Sequence, residues 1–298
     1  MAKITRLLFP ADVSELCALA IPNFAKLAKQ LKAELTILHV VDPSSFYYDV
    51  IDVTYRRVCD IEAEKIAVAQ RHFDKFVSGL SLCLPVRSVV KAGKIAPTIA
   101  DYAESGNFDA ILLPTTHHNR LYAAMKKSLT AKLMDDSQAA IWTIDSALAD
   151  RETGGGGCVV CAIAAHDEGS LDAPNRNIID TAQFVAQRFG SGLVFLHVLE
   201  KKESIDEEAI QRIKADLQHM CDTAGVKAKY RLETGDTARS ISDVAWQHDA
   251  ILLVTGRNHR QPLFGATQSM VLDIVHLAPC PVLSVVRTPG KANSSLTA

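Results

Sequence analysis

The sequence contains no run approaching the roughly 18 uninterrupted apolar residues of a membrane span, so no segment reads as membrane-crossing and no membrane partner is expected. It also lacks a charge surplus: 32 Lys+Arg stand against 34 Asp+Glu for a formal net charge of -2. No stretch gathers basic residues on an aromatic-bearing face, which argues against nucleic acid as a partner. The opening MAKITRLLFPADVSE has an apolar run too short for a signal peptide, and the expectation is a cytoplasmic protein. There is no Gly-x-Ser-x-Gly elbow, no His-Glu-x-x-His and no intact P-loop, so no activated nucleophile can be read and no catalytic residue is assigned.

A disulfide framework is missing too. The seven cysteines, an odd number, are Cys17, Cys59, Cys83, Cys158, Cys161, Cys221 and Cys280, mostly inside apolar runs, and they read as reduced core residues. Cys158 and Cys161 form a C-x-x-C, but in the strand-like run CVVCAIAA residues three apart point to opposite faces, which does not suit a redox pair.

What is present is a globular composition, 48% hydrophobic and 22% charged, with length for about two domains of roughly 150 residues each. The chain is also written twice. Asp109-Ala-Ile-Leu-Leu recurs as Asp249-Ala-Ile-Leu-Leu, the Leu-His-Val around His39 recurs around His197, and the glycine turn at Gly93 has a counterpart at Gly235. The order is the same in both halves, and the first carries extra residues between its second and third strands. Gly154 to Gly157 suit a flexible joint, giving domains at 1–150 and 151–288 and a disordered tail at 289–298.

Within each half, short apolar runs alternate with segments of helical periodicity, which predicts βα units and a parallel sheet. Strands are expected at 6–10, 34–41, 85–90, 109–114 and 139–144, then at 158–164, 193–199, 227–232, 249–255 and 282–286. Ile21, Phe24, Leu27, Ala28 and Leu31 form one helical stripe; Ile66, Ala69, Phe73, Phe76 and Leu80 form another, and Pro22 fits a helix start or a kink. Each half is thus an α/β doubly wound five-stranded domain. Its ligand crevice lies at the carboxyl ends of the strands, between the first and the fourth.

The phrases LLFPADVSE, LHVVD, LHVLE, the two glycine turns, the two DAILL strands and the closing APCPVLSVVR together resemble a tandem universal stress protein over almost the whole chain. The resemblance implies a Rossmann-like, adenine-nucleotide-binding fold in each half and a stress-response role with an unknown protein partner. It also implies a pseudo-two-fold, intrachain pseudo-dimer in which the last strands of the halves pair, with a homodimer as a further arrangement. Nucleotide-binding members carry Gly-x2-Gly-x9-Gly-Ser/Thr after the fourth strand and an acidic residue after the first.

The second half offers Gly256, Asn258, His259, Gly265, Ala266 and Thr267 to that pattern, with His259 where a glycine belongs and Ala164 at the acidic position, Asp167 lying nearby. The first half offers Asp12 and Ser128, but its loop reads Thr115-Thr116-His117-His118-Asn119 without glycine. The candidate ligand is ATP, ADP or AMP, and the second half is the expected better binder because phosphate needs close backbone N–H groups. Asp12 can instead cap the following segment together with Ser14.

No metal is expected. His117, His118, His166 and His259 fall in crevice loops without a completing ligand set, and His39 and His197 read as satisfied strand histidines. The segment with Phe46, Tyr47, Tyr48 and Tyr55 reads as a crevice or partner cover, or as a surface loop packed on its own half. Three functions stay open: a non-catalytic binding or signalling protein of the stress response, a nucleotide-binding switch with slow ATP hydrolysis, and an interaction module with vestigial crevices.

Overall fold

The computed structural model describes residues 3–42, 58–115, 129–145, 157–164, 172–200, 207–258 and 266–287. The chain separates into two compact units, one of Ile4–Asp150 and one holding Arg151–Ala298. In the first, β1 (Arg6–Pro10), β2 (Glu34–Val41), β3 (Arg87–Ala92), β4 (Ala110–Thr115) and β5 (Ala140–Asp145) form parallel pairs in the order β3-β2-β1-β4-β5. Its helices are α1 (Glu15–Leu31), α2 (Val58–Ser78), α3 (Ile95–Ser105) and α4 (129–136). In the second, β6 (Cys158–Ala162), β7 (Gly192–Glu200), β8 (Ala228–Gly235), β9 (Ala250–Arg257) and β10 (Val282–Val286) run β8-β7-β6-β9-β10, with α5 (Asp172–Phe189), α6 (Glu207–Thr223), α7 (Thr237–Gln247) and α8 (Ala266–Leu277). Strand order therefore reverses between β1 and β4 and again between β6 and β9, where an open α/β sheet forms its crevice.

The strands read as continuous apolar runs because helices cover both faces of a parallel sheet. Leu7, Leu8, Phe9, Ile37, Leu38, Ile111 and Leu112 are fully buried, as are Val159, Val160, Val194, Phe195 and Leu253. Helix α1 starts at Ser14, whose hydroxyl accepts from the Cys17 N–H at 3.3 Å, and stops where Lys32 turns left-handed at φ 58. Its expected stripe packs inward except for Leu27, which is half-buried, and Phe24 meets Phe9 edge-on at 4.6 Å. Truncating such a side chain to alanine costs about 3–5 kcal/mol. Pro22 lies inside α1, where it removes the N–H that would reach back one turn. Among the described side chains of α2 the buried ones are Phe73 and Val77, while Leu80 falls beyond the helix end.

Several strand boundaries differ from expectation, most of all the end of β8, at Gly235 rather than 232. β3 starts at Arg87 rather than 85, since its pairing with β2 begins at Thr36↔Arg87 and Pro85 has no N–H to extend it. β9 starts at Ala250 because Asp249 holds φ 46, outside the strand region, and it runs on to Arg257. β6 ends at Ala162, two residues before the expected end. Away from the crevice, Asp109 fastens the start of β1: its Oδ2 accepts from the N–H groups of Thr5 at 2.7 Å and Arg6 at 2.9 Å and from the Thr5 hydroxyl at 3.0 Å. The repeated DAILL aspartate of the first half is thus a structural clasp.

The joint at Gly154 to Gly156, the aromatic segment from Phe46 to Tyr55 and the tail from Thr288 lie outside the described residues. Among the described residues no helix is long and apolar enough to cross a membrane.

Candidate functional site

A cavity of about 690 Å³ opens in the first domain at the carboxyl ends of β1, β2 and β4. That volume falls within the roughly 300–1,000 Å³ typical of small-molecule sites. Pro10, Ala11, Leu38, Val40, Leu113 and Pro114 bring apolar walls; Asp12, Cys17, His39, Lys94, Thr130 and Lys132 bring the polar groups.

Each polar group is placed by a local rule. Asp12 follows β1, and its Oδ1 accepts from the Ser14 N–H at 3.0 Å, which closes the turn into α1 and leaves the residue exposed at the cavity edge. Both readings of Asp12, turn-former and cavity residue, are compatible with that placement. His39 sits on β2 with Nδ1 2.9 Å from the Ala11 carbonyl and its ring stacked on Phe73 at 5.1 Å. A ring N–H given to that carbonyl makes the other nitrogen the acceptor of the neutral ring. His197 repeats the contact with the Ile163 carbonyl at 2.9 Å. Burial pushes the Cys17 thiol up from 9.0, and the neighbouring Asp12 carboxylate pushes it further, so this sulfur stays protonated and is a poor nucleophile.

Lys94 occupies the N-cap position of α3 and makes no side-chain cap bond. The amides of Ile95 and Ala96, residues of the cavity wall, therefore sit at an uncapped helix N-terminus with a lysine beside it, an arrangement that favours an anionic group. Gly93 before it has φ 152, and a Cβ there would run into the Thr98 hydroxyl, so the turn into α3 requires glycine.

At this switch point the β1–β4 ladder stops short. β1 and β4 share two pairs, Leu7↔Ala110 and Leu8↔Ile111, among the described residues. Backbone groups along a strand turn alternately to one neighbour and the other. The Ala11 N–H reaches the β2 carbonyl of Leu38 at 2.9 Å, so Pro10 is turned toward β4. The Ala140 N–H reaches the Asp109 carbonyl at 2.9 Å, which turns Ala110, Leu112 and Pro114 toward β1. The next two rungs would need the N–H of residue 10 and then that of residue 114, and both are proline.

In the second domain the predicted residues that are described fall on different elements. Gly256 is not in the loop after β9 but within it, paired with Val285. A Cβ at that position would lie 2.5 Å from Ile178 Cδ1 and 2.6 Å from Arg287 Nε, so the glycine is required by the packing of α5 and of the Arg287 side chain. Asn258 follows β9 and is half-buried, and Ala266 and Thr267 begin α8. His259, Gly265 and Ser128 lie outside the described residues, as do His117, His118, His166 and Asp167. At Ala164, the counterpart of Asp12, the carbonyl accepts from the Asn175 amide at 2.8 Å.

Cys158 and Cys161 are free thiols pushed up by burial, Cys161 the more strongly, which does not suit redox exchange. Among the described residues, no group of three or more His, Cys, Asp or Glu is placed to hold a metal. Sequence reasoning missed Lys94, Thr130 and Lys132, and above all the proline pair; a proline in each of two strands that must be flanked on both sides was the available signal.

The family model described as the Universal stress protein family matches the chain twice, over residues 3–144 and 164–286. A universal stress protein from Archaeoglobus fulgidus DSM 4304 is similar over 96% of this chain and 97% of its own, at 15% identity and TM-score 0.61. A putative universal stress protein from Pseudomonas aeruginosa UCBPP-PA14 covers 96% and 94% at 19% identity and TM-score 0.60. A universal stress protein from Archaeoglobus fulgidus in complex with dAMP matches 44% of this chain and 98% of its own, at 22% identity and TM-score 0.34. The comparison with curated proteins finds no match.

Proposed function

The chain belongs to the universal stress protein family, with two domains of that family in tandem, and from this premise we propose that its first domain is a binding site for an adenine-nucleotide-class ligand. The protein acts in the stress response by binding and signalling rather than by catalysis. The observation that carries this reading is the 690 Å³ cavity at the β1–β4 switch point, where Asp12, Lys94 and the uncapped start of α3 converge on apolar walls. Apolar walls suit a base, a carboxylate suits hydroxyl donors, and an uncapped helix start beside lysine suits phosphate. The protonated Cys17 thiol supports a binding role, since it is not poised as a nucleophile.

Calorimetry with ADP and ATP on the full chain tests the reading. Binding to wild type that weakens about tenfold in Asp12→Ala or Lys94→Asp, at about 1.4 kcal/mol per tenfold, is the expected result. Failure of wild type to bind either nucleotide would overturn it. Steady ATP hydrolysis abolished by Asp12→Ala would replace it with the switch reading.

A further inference from the structure

We propose that Pro10 and Pro114 are the positioning residues of the first-domain site: facing each other across the β1–β4 seam, they keep two ladder bonds from forming and so hold the crevice open for its ligand. The inference rests on the binding role assigned above, but its structural half stands apart from it.

The register defines the missing rungs. After Leu8↔Ile111, the ladder would continue with the residue 10 N–H donating to the Leu112 carbonyl, then the residue 114 N–H donating to the Pro10 carbonyl. Each proline replaces a hydrogen by a ring carbon directed at the carbonyl opposite, so the strands lose two attractions and gain two steric contacts. Each proline's other neighbour is satisfied: Pro10 remains in register with Leu38 on β2, and Pro114 with Ile144 on β5. The outer pairs hold, and both prolines line the cavity.

The second domain supplies the control inside the same chain. In the sequence repeat Ala162 and Val254 are the counterparts of Pro10 and Pro114, and both carry N–H groups. Beyond a register shift between Cys158 and Val159 the β6–β9 ladder continues through Val160↔Leu253 and Cys161↔Val254 to Ala162↔Thr255, so that the N–H facing the Ala162 carbonyl is that of Gly256. The two carbonyls of the first-domain seam, those of Leu112 and Pro10, lose their ladder donors. The seam therefore presents acceptors, and the part of a ligand that enters it carries N–H or O–H donors.

The test is the double variant Pro10→Ala/Pro114→Val in the full chain, which installs the residues of the second domain. Amide hydrogen exchange reads the seam, and calorimetry with ADP reads the site. The expected result is at least 100-fold protection of the new amides at positions 10 and 114, and an ADP affinity at least tenfold below wild type. Free exchange of both amides in a variant with wild-type circular dichroism would overturn the proposal, as would protected amides with unchanged ADP affinity. If wild type itself binds no ADP, the binding role fails, and amide protection still decides whether the prolines hold the seam apart. Should the double variant fold poorly, Pro10→Ala alone restores the first rung and is expected to protect the amide at position 10.

Discussion

The two domains share an architecture and differ at the crevice residue by residue. Where the first has Pro10 and Pro114, the second has Ala162 and Val254, and the ladder stays zipped to Ala162↔Thr255. Where the first has Asp12, the second has Ala164, whose carbonyl is taken by Asn175. Asn175 lies the same distance before His197 as Cys17 lies before His39, so a cavity-lining thiol is exchanged for an amide fully buried against the turn. Where α3 begins with uncapped Lys94, α7 begins with Asp236, whose carboxylate accepts from the Arg239 N–H at 3.0 Å. The exchange at the helix start makes the first crevice more receptive to an anion at its α3 end, while in the second the start of α7 and the Ala164 carbonyl are bonded by groups of the chain's own. The two domains share a scaffold and differ in the polar groups at the switch point.

The comparison can be broken at its strongest point first. Gly256→Trp should unfold the second domain, because even one methyl would meet Ile178 and Arg287; Gly256→Ala should cost about 1–3 kcal/mol by overpacking. Urea titration checks both, and wild-type stability in either variant would contradict the packing role. Asp12→Ala should leave the urea midpoint nearly unchanged, since the residue is exposed, while lowering ADP affinity; a large loss of stability would make Asp12 a turn-former only.

Lys94→Asp transplants the cap of the second domain. It should stabilise α3 by about 0.5–1 kcal/mol through the new cap bond and the helix dipole, and weaken ADP binding at the same time. Opposite movements of thermal midpoint and affinity are the signature, and parallel movements would refute it.

The smallest effect is alkaline. Burial raises the thiols of Cys17 and Cys161 above 9.0 in the folded state, so the folded chain holds those protons more tightly than the unfolded one. That stability is complete below pH 9 and is lost as pH rises toward the folded values. Urea midpoints should fall above pH 9, and less steeply in Cys161→Ala when compared with its own neutral-pH value. In Asp12→Ala, the Cys17 thiol should react with iodoacetamide at lower pH than in wild type, because one of the causes that raise it is gone.

Much of the fold was legible because its signals are local. The runs around Leu8, Ile37, Ile111, Val160 and Leu253 are apolar over strand length and alternate with helical stripes, and the halves repeat these landmarks in order. The histidines were legible as well: an imidazole on a buried strand needs a partner, and Ala11 and Ile163 provide it. Gly256 was misplaced because a glycine after a run of leucines looks the same whether it frees a loop or admits an isoleucine from a helix far along the chain. Its reason, Ile178 and Arg287, exists only once α5 and the residue after β10 are docked.

Sequence by itself determined the two α/β units, their strand boundaries to within about three residues, and the switch point as the place to look, since hydrophobic period and parallel connection fix all three. Only tertiary structure decided the shape of the first crevice. Pro10 and Pro114 are a hundred residues apart in sequence, and the bonds they withhold are defined only by the register that lays β1 against β4. A missing N–H has no consequence until a carbonyl stands opposite it.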